Sequence, residues 1–212
     1  GEYTAGLYGH SHPMIQAAIR KVVDDGMALG GPNPYEAELA SELCKRFPSV
    51  EKVRFCNSGT EANEAAIKLI RLRTDGVKYK VITFRGGFHG RTLGSMSATG
   101  QAKIQEGFDP LLPGFRYLPY NDIAALENAV RPETAAILLE PIQGEGGFVV
   151  PAPGFLKALS DFCTGNGIVF IADEIQTGFA RTGAWFACDY EGVIPDVITT
   201  AKGIAGGLPL AA

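Results

Sequence analysis

The sequence predicts an α/β protein, a mostly parallel sheet covered by helices. Three observations carry that expectation. Two runs, TAAILLE (134–140) and GIVFIAD (167–173), are apolar throughout, without the alternation of a half-exposed strand, so they read as strands buried on both faces. Strand-like and helix-like stretches alternate along most of the chain. The polar clusters at 57–60, 85–91, 140–147 and 173–176 each follow a strand-like stretch, where ligands of open parallel sheets gather.

Taken in order, Ser11 and Pro13 mark a helix start, and Ile15, Ala18, Ile19, Val22 and Val23 keep helical spacing until Gly26. A second helix, Tyr35 to Phe47, carries Leu39 and Leu43 on one face. Val53 to Cys56 reads as a strand and Thr60 to Leu72 as a helix. Lys80 to Phe84 reads as a strand, followed by a Gly-rich loop and a short strand, Phe115 to Leu118. Asn121 to Val130 is a short helix with Ile123, Leu126 and Val130 on one stripe, and a helix from Gly154 to Cys163 separates the two buried runs.

With 212 residues, 46% of them apolar, the chain can bury a sizeable core, as one large domain or as one domain and a fragment. The net charge is -4 and Lys and Arg are scattered, so neither nucleic acid nor an anionic membrane is expected as a partner. No run approaches the roughly 18 apolar residues of a membrane span, and a soluble protein is expected. Cys44, Cys56, Cys163 and Cys188 form no CxxC pair and sit singly among apolar residues, which suits reduced thiols in a cytoplasmic or organelle-matrix setting. The chain opens on Gly1 rather than Met and closes on Ala211 and Ala212 in an apolar, Gly-rich stretch, so a piece of a longer polypeptide is expected.

Asp173 follows IVFIA directly, at the mouth of a buried strand, where a carboxylate needs a cation or a proton donor. A surface Asp capping the next turn is the plainer reading. A magnesium-binding Asp of a nucleotide hydrolase would need a GxxxxGK[ST] loop, which the sequence lacks. Lys202, 29 residues further on in TTAKGIAGG, sits among small and apolar residues; a desolvated amine loses its proton easily and becomes a nucleophile, whereas an isolated Lys more often snorkels to solvent.

Ser58, Gly59 and Thr60 stand at a strand-to-helix turn whose free amides and hydroxyls can cradle a phosphate. Ser58 and Glu61 also spell a capping box, which needs no ligand. GGFHGRT (86–92) places Phe88 and His89 on a Gly-rich loop with Arg91 close behind, able to stack a flat ring and to clamp a carboxylate. His10 and His12 lack a completing ligand set, so no metal site is expected. There is no GxSxG elbow and no full GxGxxG fingerprint.

Together, NSGTEAN, GGFHGRT, EPIQGEGG, IADEIQTGFARTG and TTAKGIAGG, in this order and spacing, resemble the class III (subgroup II) pyridoxal-phosphate aminotransferases over essentially the whole chain. The resemblance implies the fold type I of pyridoxal-phosphate-dependent transferases, with residues 1–33 as an N-terminal segment carrying a helix. It makes 34–212 the cofactor-binding large domain, its small C-terminal domain lying outside this chain. It implies that Lys202 is the Schiff-base lysine and Asp173 the partner of the pyridine nitrogen. Ser58, Gly59 and Thr60 would hold the phosphate, Phe88 would stack on one ring face with His89 beside it, and Ile175 would cover the other. Gln176 would contact the ring hydroxyl and Glu140 would support Gln176. Arg91 would bind a substrate carboxylate, and Glu145 would pair with a movable Arg of the C-terminal domain.

The similarity further implies a homodimer with shared active sites, a small-molecule amino donor and a 2-oxo acid acceptor. The donor expected is an omega-amino acid of the acetylornithine, ornithine or 4-aminobutyrate type, and the acceptor 2-oxoglutarate. The opening GEYTAGLYGHSHP and KRFPSVEKVRF are closer to glutamate-1-semialdehyde aminomutase and beta-amino-acid aminotransferases, so those activities stand as alternatives. An inactive fragment with a vestigial pocket is a third.

Overall fold

The computed structural model describes residues 2–27, 31, 33–47 and 49–212. Five strands, β1 (Lys80–Phe84), β2 (Phe115–Leu118), β3 (Thr134–Leu139), β4 (Val169–Asp173) and β5 (Val197–Thr199), form one sheet in the order β2-β1-β3-β4-β5. Every pairing is parallel. The two continuous apolar runs become β3 and β4, and both are buried along their length because helices cover each face.

The pleat divides the core in two. Ile82, Phe84, Ile137, Leu139, Phe170 and Ala172 face one side, against α6 (Ile123–Ala129) and α7 (Phe155–Asn166). Val81, Ala136, Leu138, Val169 and Ile171 face the other, against Ala66, Ile67 and Ile70 of α3 (Gly59–Arg73). Burying each of the larger side chains contributes about 1.5–3 kcal/mol. Gly167 closes α7 at φ 62°, a left-handed conformation that glycine adopts without a steric cost.

Before α3 lie α1 (Pro13–Asp25) and α2 (Pro34–Arg46). Asn33 caps α2 by accepting a hydrogen bond from the Tyr35 amide at 2.9 Å. On α1, Met14, Ile19 and Val23 are exposed, while Ile15 packs towards Gly206. The boundary expected between residues 33 and 34 follows position 32, which lies outside the described residues.

The structure departs from the sequence reading in three places. Val53 to Cys56 does not join the sheet: Cys56 alone bridges antiparallel to Ala211, through two 2.8 Å hydrogen bonds. Val53 and Phe55 instead pack with Ile198 against the cluster of Leu43, Phe47, Phe179 and Phe186, and a groove of about 1400 Å³ is lined by Val53, Phe55, Val197 and Ile198. β5 is an added strand, only three residues long and flanked by Asp196 and Thr200, too short to show as an apolar run. The loop after β1 contains two short helices, α4 (Leu93–Ala98) and α5 (Ala102–Gln105). Among the described residues, no helix is long and apolar enough to cross a membrane.

Candidate active site

Strand order reverses between β1 and β3, since β1 leads outward to β2 and the chain then crosses back to β3. The loops leaving these two neighbours diverge and open a crevice at the carboxyl ends of the strands. One cavity of about 320 Å³ lies there, and it is lined by Ser58, Gly59, Thr60, Phe88, His89, Gly90, Arg91, Glu140, Glu145, Asp173, Ile175, Gln176, Ala201 and Lys202. All twelve candidate residues meet in it, although they come from the ends of α3, β1, β3, β4 and β5. The larger groove beside β5 is lined by neither Asp173 nor Lys202.

Asp173 ends β4 and is buried. Its Oδ2 accepts from Asn63 Nδ2 at 2.8 Å and lies 2.7 Å from His89 Nδ1. A carboxylate only accepts, so the contact assigns the ring proton of His89 to Nδ1. The amide of Ile175 reaches Asp173 Oδ1 at 3.2 Å. His89 therefore backs Asp173 within the fold, and its Nε2 is buried without a partner.

Asn63, absent from the sequence candidates, sits four residues after Gly59 on the same helical face. That spacing within NSGTEAN is the signal that could have found it.

Lys202 follows β5 at φ 51°, left-handed and uncommon for a residue with a Cβ. Burial lowers its pKa below the ordinary lysine value, while Glu145, Asp173 and Glu140 pull the other way. Loss of hydration wins, which favours the neutral, nucleophilic amine.

Glu140 ends the β3 run and joins the two diverging loops, its Oε1 accepting from the Phe88 amide at 2.7 Å and its Oε2 from the Gly144 amide at 3.0 Å. Burial pushes its pKa up to about 7; His89 and the two amides lower it, and Asp173 raises it. Gln176 is not bonded to Glu140. Its Nε2 donates to Glu145 Oε1 at 3.3 Å, because Gln176 lies across Gly144, where a Cβ would stand only 1.4 Å from Gln176 Oε1.

The N-terminus of α3 faces the cavity. Ser58 and Glu61 form a reciprocal cap: Ser58 Oγ accepts from the Glu61 amide at 3.4 Å and donates to Glu61 Oε2 at 3.0 Å, and the Asn57 amide donates to the same oxygen at 2.8 Å. A Cβ on Gly59 would meet Ile175 Cδ1 at 2.7 Å, so the missing side chain lets the helix end approach the cavity wall. Thr60 Oγ1 lies 2.5 Å from Ser95 Oγ and 3.1 Å from Thr92 Oγ1, and Thr92 donates to Glu64 at 2.5 Å. This hydroxyl network holds Thr60 in place and was not legible in the sequence. Across the cavity mouth, the Arg91 guanidinium lies 5.8 Å from the centroid of the Phe88 ring.

This arrangement suits a small aromatic ring that carries an anionic group, a basic ring nitrogen and a carbonyl. A helix N-terminus meets the anion, a buried carboxylate the nitrogen, aromatic and branched aliphatic side chains the ring faces, and an amine the carbonyl.

Comparison with known proteins points the same way. The model of the family Aminotransferase class-III matches residues 1–212. An acetylornithine aminotransferase of Caldanaerobacter subterraneus subsp. tengcongensis is 46% identical over a 222-residue alignment that covers 100% of this chain and 56% of the relative. Another acetylornithine aminotransferase, from Halalkalibacterium halodurans, is 47% identical over 206 residues, covering 96% and 53%. The ornithine aminotransferase of Toxoplasma gondii ME49 superposes with a TM-score of 0.92 at 32% identity, over 99% of this chain and 52% of that one. An (S)-enantioselective omega-transaminase from Thermomicrobium roseum gives 0.91, also at 32% identity, over 99% and 53%. The chain thus spans about half the length of the relatives it matches, and by sequence and fold alike it belongs to the class-III aminotransferase family.

Proposed function

We propose that this chain carries the cofactor-binding half of a pyridoxal-phosphate-dependent aminotransferase. It moves an amino group from an omega-amino acid, of the acetylornithine or ornithine type, to 2-oxoglutarate. One observation carries the reading: Asp173, Lys202 and the N-terminus of α3 converge on a single cavity of about 320 Å³ at the strand-order switch. The relatives' names favour this donor class over an aminomutase, and Glu145 beside Gln176 agrees with it.

Pyridoxal phosphate, when bound, supplies an electron sink for the substrate carbon that loses its proton. Asp173, its carboxylate fixed by His89 and Asn63, would hold a proton at the pyridine nitrogen. Nζ of Lys202 would hold the cofactor through its carbonyl carbon and, as a free amine, would carry the proton to and from the substrate carbon. Burial lowers its pKa below the ordinary lysine value, which favours the neutral amine that this role needs. Ser58, Gly59 and Thr60, at the end of α3, would take the phosphate, and Phe88 and Ile175, which line the same cavity, would enclose the ring. Arg91 receives a substrate carboxylate at the cavity mouth.

The same reading takes residues 34–212 as the cofactor-binding domain and 1–33 as a segment packed on it. It makes the working protein a cytoplasmic homodimer with shared sites; four thiols without disulfides suit a reducing compartment. Titrating pyridoxal phosphate into the intact polypeptide and into Lys202→Ala tests it. The wild type is expected to show the visible band of the lysine-bound cofactor and to turn over acetylornithine or ornithine with 2-oxoglutarate; the variant shows neither. A band that survives in the variant removes Lys202 from its role.

A further inference from the structure

We infer that Asn63 is a positioning residue of the cofactor pocket: its amide holds Oδ2 of Asp173 inside the fold, so that Oδ1 is the oxygen turned to the pyridine nitrogen. This rests on the reading of Asp173 given above.

Asn63 has no exposed surface. Its Nδ2 donates to Asp173 Oδ2 at 2.8 Å and to the His89 carbonyl at 2.8 Å. Both partners only accept, so flipping the amide would set Asn63 Oδ1 against two acceptors; the orientation is forced. With His89 Nδ1 on the same oxygen at 2.7 Å, Oδ2 has two donors. Among the described residues, Oδ1 meets only the Ile175 amide, at 3.2 Å, and keeps a lone pair for a ligand.

The arrangement carries a cost. Asn63 Oδ1 is buried without a partner, and a buried unpaired acceptor destabilises a fold relative to an apolar side chain of the same size. Packing alone would place Leu at this point, four residues into a helix whose neighbouring Ala62, Ala66 and Ile67 are core residues. What asparagine adds is the link between three parts of the pocket: α3, the loop that carries Phe88, and the end of β4. The titratable groups facing Asp173 are His89 in contact and, across the cavity, Glu140 and Lys202.

Asn63→Leu and Asn63→Asp in the intact polypeptide test the inference, with pyridoxal phosphate as the probe. In Asn63→Leu the cofactor-free protein is expected to stay folded but to lose stability, because Asp173 Oδ2 and the His89 carbonyl each lose a donor, while affinity for the cofactor falls about tenfold, the worth of one hydrogen bond to a charged group. The rise in Tm on adding cofactor shrinks with it. Asn63→Asp can donate to Asp173 while protonated and repels it once ionised, so its cofactor affinity falls with rising pH more steeply than that of the wild type. Should Asn63→Leu not fold, Asn63→Asp decides alone.

Wild-type affinity in Asn63→Leu, or a wild-type pH profile in Asn63→Asp, overturns the inference. A wild type that binds no cofactor overturns the reading of Asp173 beneath it, and this inference with it.

Discussion

Nδ1 of His89 lies 2.7 Å from Oδ2 of Asp173, a contact across 84 residues of sequence between side chains that are 1% and 3% exposed. The loop after β1 and the end of β4 are thereby locked together behind the cavity. Removing one partner of a buried polar pair strands the other in a medium that solvates it poorly. His89→Phe is expected to cost about 3 kcal/mol in unfolding free energy, as measured by urea denaturation. It also weakens pyridoxal-phosphate binding, as read from the visible band. An unaltered stability would mean that Asp173 finds other donors.

Lys202 combines a left-handed backbone with a desolvated amine, so the fold is strained at the residue it is proposed to use. Glycine accepts φ 51° freely and alanine does not. Lys202→Gly is therefore expected to be more stable than Lys202→Ala by about 1 kcal/mol, in cofactor-free thermal unfolding. Neither forms the cofactor band.

Glu140 and Glu174 give stability a pH dependence of predictable sign. Burial raises Glu140 to about 7 from its ordinary 4.5, and raises Glu174, which accepts from the Ala187 and Cys188 amides. A carboxyl whose folded value is raised binds more protons in the folded state. Its contribution is complete below the ordinary value and is lost as pH climbs through the folded value. Unfolding free energy of the cofactor-free protein is expected to fall between about pH 4.5 and 7, by roughly 3 kcal/mol from Glu140 at most. Glu140→Gln should flatten that slope in denaturation series across the same range.

Gly144 and Gly100 separate damage to the site from damage to the fold. A Cβ at Gly144 meets the movable end of Gln176, whereas one at Gly100 would stand 2.1 Å from the backbone oxygen of Phe84. Gly144→Ala is expected to stay within about 1 kcal/mol of wild-type stability while displacing Gln176 from Glu145 and lowering turnover. Gly100→Ala forces the end of β1 apart and should cost about 3 kcal/mol or more. Thermal unfolding and steady-state rates on both variants distinguish the two.

Much of this was legible in the sequence. The unbroken apolar runs of β3 and β4 announce strands covered on both faces, and the 3.6-residue spacing of Ala66, Ile67 and Ile70 announces α3. Candidate residues at strand ends were legible because such ends are marked locally, by an apolar run and then Glu140 or Asp173, whereas the run before Asn57 to Thr60 ends outside the sheet. Each short stretch carries its own chemistry whatever it later touches.

The sequence by itself therefore determined most of the element types, the parallel layering of the buried strands and the candidate side chains that gather at the carboxyl edge. Only the tertiary structure decided their partners. It left Val53 to Cys56 outside the sheet, gave Gln176 to Glu145 rather than Glu140, and set His89 and Asn63 on one oxygen of Asp173. Hydrophobic period is a local property, readable within a dozen residues. Hydrogen-bond partners 84 or 110 residues apart depend instead on the order in which strands lie side by side, and on glycines such as Gly59 and Gly144 that let backbone and side chain approach.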